Sequence, residues 1–290
     1  MSVAPRQPAV AGTFYPAQPD RLELLAASLL AAAAAAPWPQ NLRPESVVGL
    51  LVPHAGLSYS GPIAALGWYL AGQTDPSTIV LLGTDHQARA EGVGVWTGGA
   101  WLTPLGRVEI DTALAEEMAG LGPTFAADNG AHRGEHSLEV QLPLLMRACP
   151  AARIVPLAVS PGLSNHMQSG QLIGRALSRR RAAGERILLA ASSDMAHYPP
   201  EKVCRETDAE LLEPLLRLDA EELRLREARV LRANRPGLVC GLCGIDPVRV
   251  MLAAVAEMGA SRGILLGVST SADAGGDPRR TVGYASAAFV

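Results

Sequence analysis

The chain is poor in charge and in aromatic side chains: Asp, Glu, Lys and Arg make up 18% of its 290 residues, and Phe, Trp and Tyr 4%. With a net charge of -3 there is no basic footprint for a nucleic-acid backbone. The one basic run, Arg179-Arg180-Arg181, is short and reads as a solvated helix end. Four cysteines are too few for a disulfide scaffold, and Cys149 and Cys204 read as isolated, inert thiols. No apolar run reaches the ~18–20 residues that a membrane helix needs. The alanine tract Ala31 to Ala36 stops at Pro37 and belongs to an amphipathic helix. The N-terminal "MSVAPRQPAVAGTF" lacks the basic-then-apolar order of a secretory signal. A cytoplasmic protein with no nucleic-acid and no membrane partner is expected.

What is present is apolar: 48% of the residues are hydrophobic, ample for a full core. Runs at 47–53, 78–83, 153–159, 186–192, 263–270 and 281–289 are rich in β-branched residues and leucine. Helix-like segments intervene, for example at 164–183 and from about residue 201. Near-continuous apolar strands bury both faces, and their alternation with helices predicts an α/β fold with a central, largely parallel or mixed sheet flanked by helices. "GVGVW" with "RVEI" at 107–110 suggests a short hairpin appended to that sheet. No internal repeat and no linker beyond Pro37–Pro39 is visible, so one domain over 1–290 is expected.

In such sheets ligands gather at the carboxyl edge of the strands. Run 47–53 stops at His54 in "PHAG". Run 78–83 stops at Asp85 and His86 in "GTDH", with Gly83 bending the strand. Run 186–192 stops near Asp194 and His197 in "SSDMAH". Any one of these imidazoles could be a hydrogen-bonded structural residue. At equivalent positions in the topology, they point instead to a metal or acid–base site. Asp194 could orient His197 through its ring or cap a following helix. "GEHSLEVQLPLLM" at 134–146 reads as a helix whose His136 and Glu139 project from one face, with Glu135 and His136 as caps or polar cleft walls.

"CGLCG" at 240–244 permits a redox dithiol, half of a zinc site, or one useful thiol beside an idle one. The pair follows a helical, arginine-rich segment rather than a strand. No second C-x-x-C or matching histidine pair stands nearby. Glycines around Cys243 open a helix, whose terminus would favour a thiolate. Cys243 is the preferred functional thiol, with Cys240 packing. Two imidazoles and a thiolate suit Fe(II), Cu or Zn.

"AGTFYP", "VPHAGLSYSGPIAA", "LLGTDH", "EHSLEVQLP", "SSDMAHY", "CGIDPV" and "TSADAGGDPRRTVGYAS" occur in the order seen in the Memo family. The chain resembles that family over about residues 8–289, and its microbial branch is called AmmeMemoRadiSam system protein B. The resemblance implies a fold like that of class III, non-haem-iron extradiol dioxygenases. It implies metal ligands at His54, His86 and Cys243, and a proton-transferring histidine at His197 beside Asp194. It implies Fe(II) first, with Cu or Zn as alternatives. It also implies functional association with AMMECR-type and radical-SAM proteins. Cys243 stands where the dioxygenases have a carboxylate ligand. Thr84 and Asp85 replace the family's frequent Pro followed by Asn or Ser, and Ala196 its Ser or Thr; Asp85 is expected to bring negative charge beside the metal.

The expectation is therefore a metal-binding redox protein, an oxidase or dioxygenase acting on an unknown small molecule. The alternatives are a peptide- or protein-binding module with a vestigial or structural metal, and a zinc-dependent hydrolase with His197 or Glu139 as base.

Overall fold

In the computed structural model, which describes residues 4–290, the apolar runs become strands of one mixed sheet. The first three residues of the N-terminal stretch considered above for a secretory signal lie outside the described residues. In chain order the elements are α1 (Pro19–Ala34), β1 (Gly49–Val52), α2 (Leu57–Thr74), β2 (Thr78–Thr84), β3 (Val93–Val95), β4 (Ala100–Thr103), β5 (Gly106–Glu109) and α3 (Thr112–Ala119). There follow β6 (Phe125–Ala127), α4 (Leu142–Ala148), β7 (Arg153–Val159), α5 (His166–Ala182), β8 (Ile187–Ser192), α6 (Glu201–Leu216), α7 (Ala220–Arg232), α8 (Ile245–Glu257), β9 (Gly263–Thr270) and β10 (Gly283–Phe289).

Strands β7, β2, β8 and β1 form a parallel centre, in that order. On one side β3 joins β7 antiparallel and β6 joins β3; on the other, β10 and β9 add antiparallel strands. Both faces are covered, which is why the central strands read as unbroken apolar runs. The register makes this concrete. Gly49 and Val52 of β1 are an odd number of residues apart and so face opposite ways. A methyl group on Gly49 would strike Val255 of α8, whereas Val52 abuts Gly67 of α2. Helices α1, α2 and α4 pack together on the α2 side, and α5 and α7 pack on α8. Among the described residues, no helix is long and apolar enough to cross a membrane.

The appended hairpin differs from its sequence expectation. "GVGVW" supplies β3, an inner member of the main sheet, paired Val93↔Val159 and Val95↔Leu157. Val93 and Val95 are fully buried, which a half-solvated hairpin strand would not allow. The hairpin is β4 with β5, closed between Thr103 and Gly106, and β5 does keep a solvated face at Arg107 and Glu109.

Candidate metal centre

Strands β2, β8 and β1 are adjacent and parallel, so their carboxyl ends share one edge of the sheet. Ser192, the last residue of β8, is level with Val52 on one side and Gly83 on the other. His54 and His86 therefore leave the sheet on either side of Ser192. Gly83 does not bend its strand: it is paired with Ala158 and Ser192 in regular register. Its missing side chain instead admits Ser137 and Leu138, which a Cβ there would strike at 2.6 Å. Ser137 donates its hydroxyl to the Thr84 carbonyl at 3.0 Å, which locks the 135–138 turn onto the end of β2. Cys243 arrives on the turn that opens α8. The Thr84 hydroxyl donates to its carbonyl at 3.1 Å, and the Ser193 hydroxyl accepts from Gly244 N–H at 2.9 Å.

These anchors bring one ligand atom each from His54, His86 and Cys243 within 4.8 Å of one another. His54 Nε2 lies 3.1 Å from Cys243 Sγ. The opposite nitrogen, Nδ1, lies 3.0 Å from Ser192 Oγ. That hydroxyl spends its single proton on the Ser137 carbonyl at 2.6 Å and accepts from Gln141 Nε2 at 2.8 Å. It can therefore only accept from His54, which places a ring proton on Nδ1 and leaves Nε2 as the atom facing the sulfur. Gln141 is fixed in turn by Trp68 Nε1, which donates to its Oε1 at 2.8 Å, and by its own bond to the Pro53 carbonyl at 2.9 Å. His86 follows the same pattern, with Nδ1 2.9 Å from Glu135 Oε1. Histidine ligands of metals are held in this way, with the outer nitrogen bonded to a carboxylate, hydroxyl or carbonyl.

Ser192→Ala is accordingly expected to weaken metal affinity roughly 10–100-fold, the usual cost of losing such an outer partner. Competition against a chromophoric chelator measures it; unchanged affinity would show that the Ser192 bond does not orient the ligand.

Among the described residues, two other groups lie close enough for an ion: His86, Glu135 and His136, and Asp194, His197 and Cys243. In the first, the Glu135 carboxylate is already engaged as the outer partner of His86. Glu135 Oε1 takes His86 Nδ1 and the amides of His136 and Ser137, while Oε2 takes the His86 amide. In the second, Asp194 Oδ1 is occupied by the amides of His54 and Ala55, at 2.7 and 3.1 Å. In the group His54, His86 and Cys243, both imidazoles have their outer nitrogens held by fixed partners, Ser192 and Glu135.

Electrostatics sharpen the assignment. Burial alone would raise the Cys243 thiol, but the His54 imidazole first, with the His197 and His86 rings close by, holds it well below the ordinary thiol range. The Asp194 amide also points at the sulfur, 3.3 Å away. Burial opposes charge on His86, yet the neighbouring Cys243 and Glu135 push it up to about 10. Burial would raise Glu135, and its pairing with His86 brings it down to about 2. His136 goes the other way, to about 4, through burial and the nearby His54 imidazole. It stacks on His86 with ring centroids 4.6 Å apart and stays neutral near pH 7. Cys149 and Cys204 are pushed up to about 12, by burial first, as suits inert thiols.

His197 belongs to the same cleft, a space of about 750 Å³ lined by four of the chain's six histidines. Burial would lower its pKa, but Asp194, Cys240 and Cys243 raise it strongly. Its Nε2 is buried without a hydrogen-bond partner. Asp194 Oδ2 is 3.8 Å away, an attraction through space rather than a hydrogen bond.

Several sequence expectations are corrected here. Glu139 and His136 do not share a helix face. Pro143 lies in the first turn of α4, and its ring would clash with the carbonyl of residue 139 in a longer helix. The chain makes a tight turn over Glu139–Gln141 instead. His136 faces the cleft, whereas Glu139 is fully buried elsewhere, paired with Arg6 at 2.6 Å and accepting from Tyr15 and the amides of Ala9 and Val10. It is neither a cleft residue nor a base for a hydrolase. Asp85 does not charge the cleft either; its carboxylate turns back to accept from the amides of Gln87, Arg89 and Ala90. Asp194 caps no helix, since α6 begins only at Glu201. Cys240 is half-buried on the cleft wall, and its carbonyl accepts from the His197 amide at 3.0 Å.

Glu139→Gln should therefore cost stability rather than chemistry, by about 3–5 kcal/mol for stranding a buried Arg6. Denaturant unfolding reads the loss, and metal affinity of the folded fraction should be unchanged.

Sequence reasoning passed over Ser192, Gln141 and Ser137. Each is an ordinary buried polar residue whose function depends on a distant partner. One signal was legible: Ser192 is the last residue of an otherwise apolar run that ends beside the other histidine-bearing strands.

A family model described as Memo-like protein matches residues 6–288. A MEMO1 family protein of Methanosarcina barkeri is 37% identical over 97% of this chain and 98% of its own length. MEMO1 family proteins of Methanopyrus kandleri and Ignicoccus hospitalis are 36% and 37% identical, each over 98% of both chains. Among solved structures, an uncharacterized protein from Escherichia coli K12 superposes with a TM-score of 0.52 at 16% identity, over 84% of this chain and all of its own. That likeness concerns the fold, an eight-stranded sheet between helices. With the match running through every strand end that carries the candidate ligands, the chain belongs to the Memo family.

Proposed function

We propose that this chain is a metal-dependent redox protein, an oxidase or dioxygenase of a small molecule, using Fe(II) or Cu on His54, His86 and Cys243, with Zn as the remaining candidate. The observation that carries the reading is the convergence of these three donors within 4.8 Å, with the outer nitrogens of both imidazoles bonded to Ser192 and Glu135. A bound ion of this kind would supply electron exchange and open coordination positions. Around it, the chain's own groups divide the work. Ser192 and Glu135 fix the ring tautomers, and the Asp194 amide steadies the sulfur. His136 and Phe14, with ring centroids 4.8 Å apart, form a neutral part of the cleft wall. His197 holds a proton at an unpartnered Nε2 beside the space where a molecule would sit.

The pH dependence follows in sign. In the metal-free protein His86 retains its proton up to about 10, so an ion must displace that proton over the neutral range. Apparent affinity should then fall about tenfold per pH unit for each displaced proton as the solution is acidified. Competition titrations at successive pH values, corrected for the chelator's own protonation, measure the slope; an affinity indifferent to pH would contradict imidazole ligation.

The test of the reading is anaerobic purification followed by elemental analysis, with His54→Ala in parallel. Stoichiometric iron or copper, absent from the variant and altering the rate of O₂ consumption, is expected. Tight, redox-silent zinc would overturn the redox reading and favour hydrolysis.

A further inference from the structure

The rim of the cleft carries an arginine that the proposed chemistry does not use. Residues 277–280 read Asp-Pro-Arg-Arg, and the two arginines diverge. Arg279 turns back onto Asp277, with Nε and Nη2 2.9–3.2 Å from its carboxylate oxygens, and its side chain stays 88% exposed. Arg280 instead lays its guanidinium over the Tyr198 ring, 4.2 Å from the centroid, and lines the cleft. Among the described residues, Arg280 has no carboxylate partner. Asp277 is occupied by Arg279, and the cleft's other acid, Asp194, accepts from the His54 and Ala55 amides.

The wall that holds Arg280 is built. Thr281 donates both its amide and its hydroxyl to the Pro199 carbonyl, at 2.9 and 2.8 Å, and accepts from the Tyr198 amide at 2.6 Å. His197 bridges Val282 and Cys240 in the same ladder. Tyr198 is held at φ 73 to do this, a conformation that costs a non-glycine residue energy and gathers at ligand sites. Arg280 and His197 thus sit on one rigid ladder. Besides Arg280 and the candidate metal donors, the cleft is lined by Phe14, Tyr59, Leu242, Val282 and Tyr284.

We infer that Arg280 anchors the carboxylate of a small substrate whose flat, apolar body spans the cleft and whose far end meets His54, His86 and Cys243. The inference rests on the small-molecule reading of this cleft and adds a substrate class to it. A planar guanidinium stacked on an aromatic ring matches a carboxylate in bidentate fashion. A phosphate dianion normally draws further cations or backbone amides, and this rim offers one unpaired arginine.

The test uses the full-length protein with its own metal and two pairs of probes: benzoate against benzamide, and 3-phenylpropionate against 3-phenylpropionamide. Ligand-observed NMR titration reads the dissociation constants. Each carboxylate should bind at least about tenfold more tightly than its amide, the scale of one charge-assisted pair. Arg280→Gln should abolish that preference and Arg279→Gln should keep it. A preference that survives Arg280→Gln, as it would if the carboxylate bound the metal, overturns the anchor. Stronger Arg280-dependent binding of phenyl phosphate than of benzoate overturns the carboxylate class. Metal content is measured on the same samples, so the two readings fail separately. Arg280-dependent binding to a protein that takes up no metal removes the redox reading and leaves the anchor standing.

Discussion

Cys243→Ser protein is expected to purify almost without metal, while Cys240→Ser protein keeps the wild-type content. The two cysteines share a motif but not an environment. Cys243 Sγ lies 3.1 Å from His54 Nε2, receives the Asp194 amide, and is held as a thiolate by the surrounding imidazoles. A serine hydroxyl stays protonated there and donates charge poorly to a soft ion. Affinity should fall by more than the roughly 100-fold that marks the upper range for loss of an outer partner. Cys240 appears in none of the candidate ligand groups. Elemental analysis and chelator competition on both variants read the difference. Equal loss in both, or a Cys240–Cys243 disulfide in protein kept under reducing conditions, would favour a dithiol over a metal ligand.

His197→Ala should separate turnover from metal binding. Its Nε2 has no partner among the described residues, and Asp194 Oδ2 at 3.8 Å favours the protonated ring. Such a group is placed to transfer a proton to or from a molecule in the cleft. Its loss should lower turnover by about 10²–10⁴, the range for a positioned acid or base, while metal affinity stays within a few-fold. His86→Ala is the comparison, because His86 is assigned as a ligand and its loss should empty the site. If His197→Ala removes metal as completely as His86→Ala does, then Asp194, His197 and Cys243 are the ligand set and the roles are reversed.

Strands were legible because those buried on both faces need no alternation, and the central runs end on or just before glycine or polar residues. Their carboxyl ends identified His54, His86 and His197 for the same reason: a parallel sheet directs consecutive strand ends to one edge. Periodicity misled at Glu139, where the spacing from His136 suits a helix but Pro143 interrupts one. Asp85 looked like cleft chemistry because it adjoins His86, yet a short carboxylate can turn back on its own amides, as Asp85 does. Ser192, Gln141 and Trp68 form a buried relay across three separate segments. No local pattern announces a contact that depends on strand order and register. Arg280 stayed hidden beside Arg279, since only the fold decides which of two neighbouring arginines meets Asp277.

X-ray absorption spectroscopy of the zinc-loaded protein tests the central claim, a centre of two imidazoles and one thiolate, most directly. The spectrum should require one sulfur at ~2.3 Å and two imidazole nitrogens at ~2.0–2.1 Å, the remaining positions being light atoms. The sulfur shell should vanish in Cys243→Ser and persist in Cys240→Ser. A wild-type spectrum fitted by oxygen and nitrogen alone, or a sulfur shell unchanged in Cys243→Ser, would contradict the assignment.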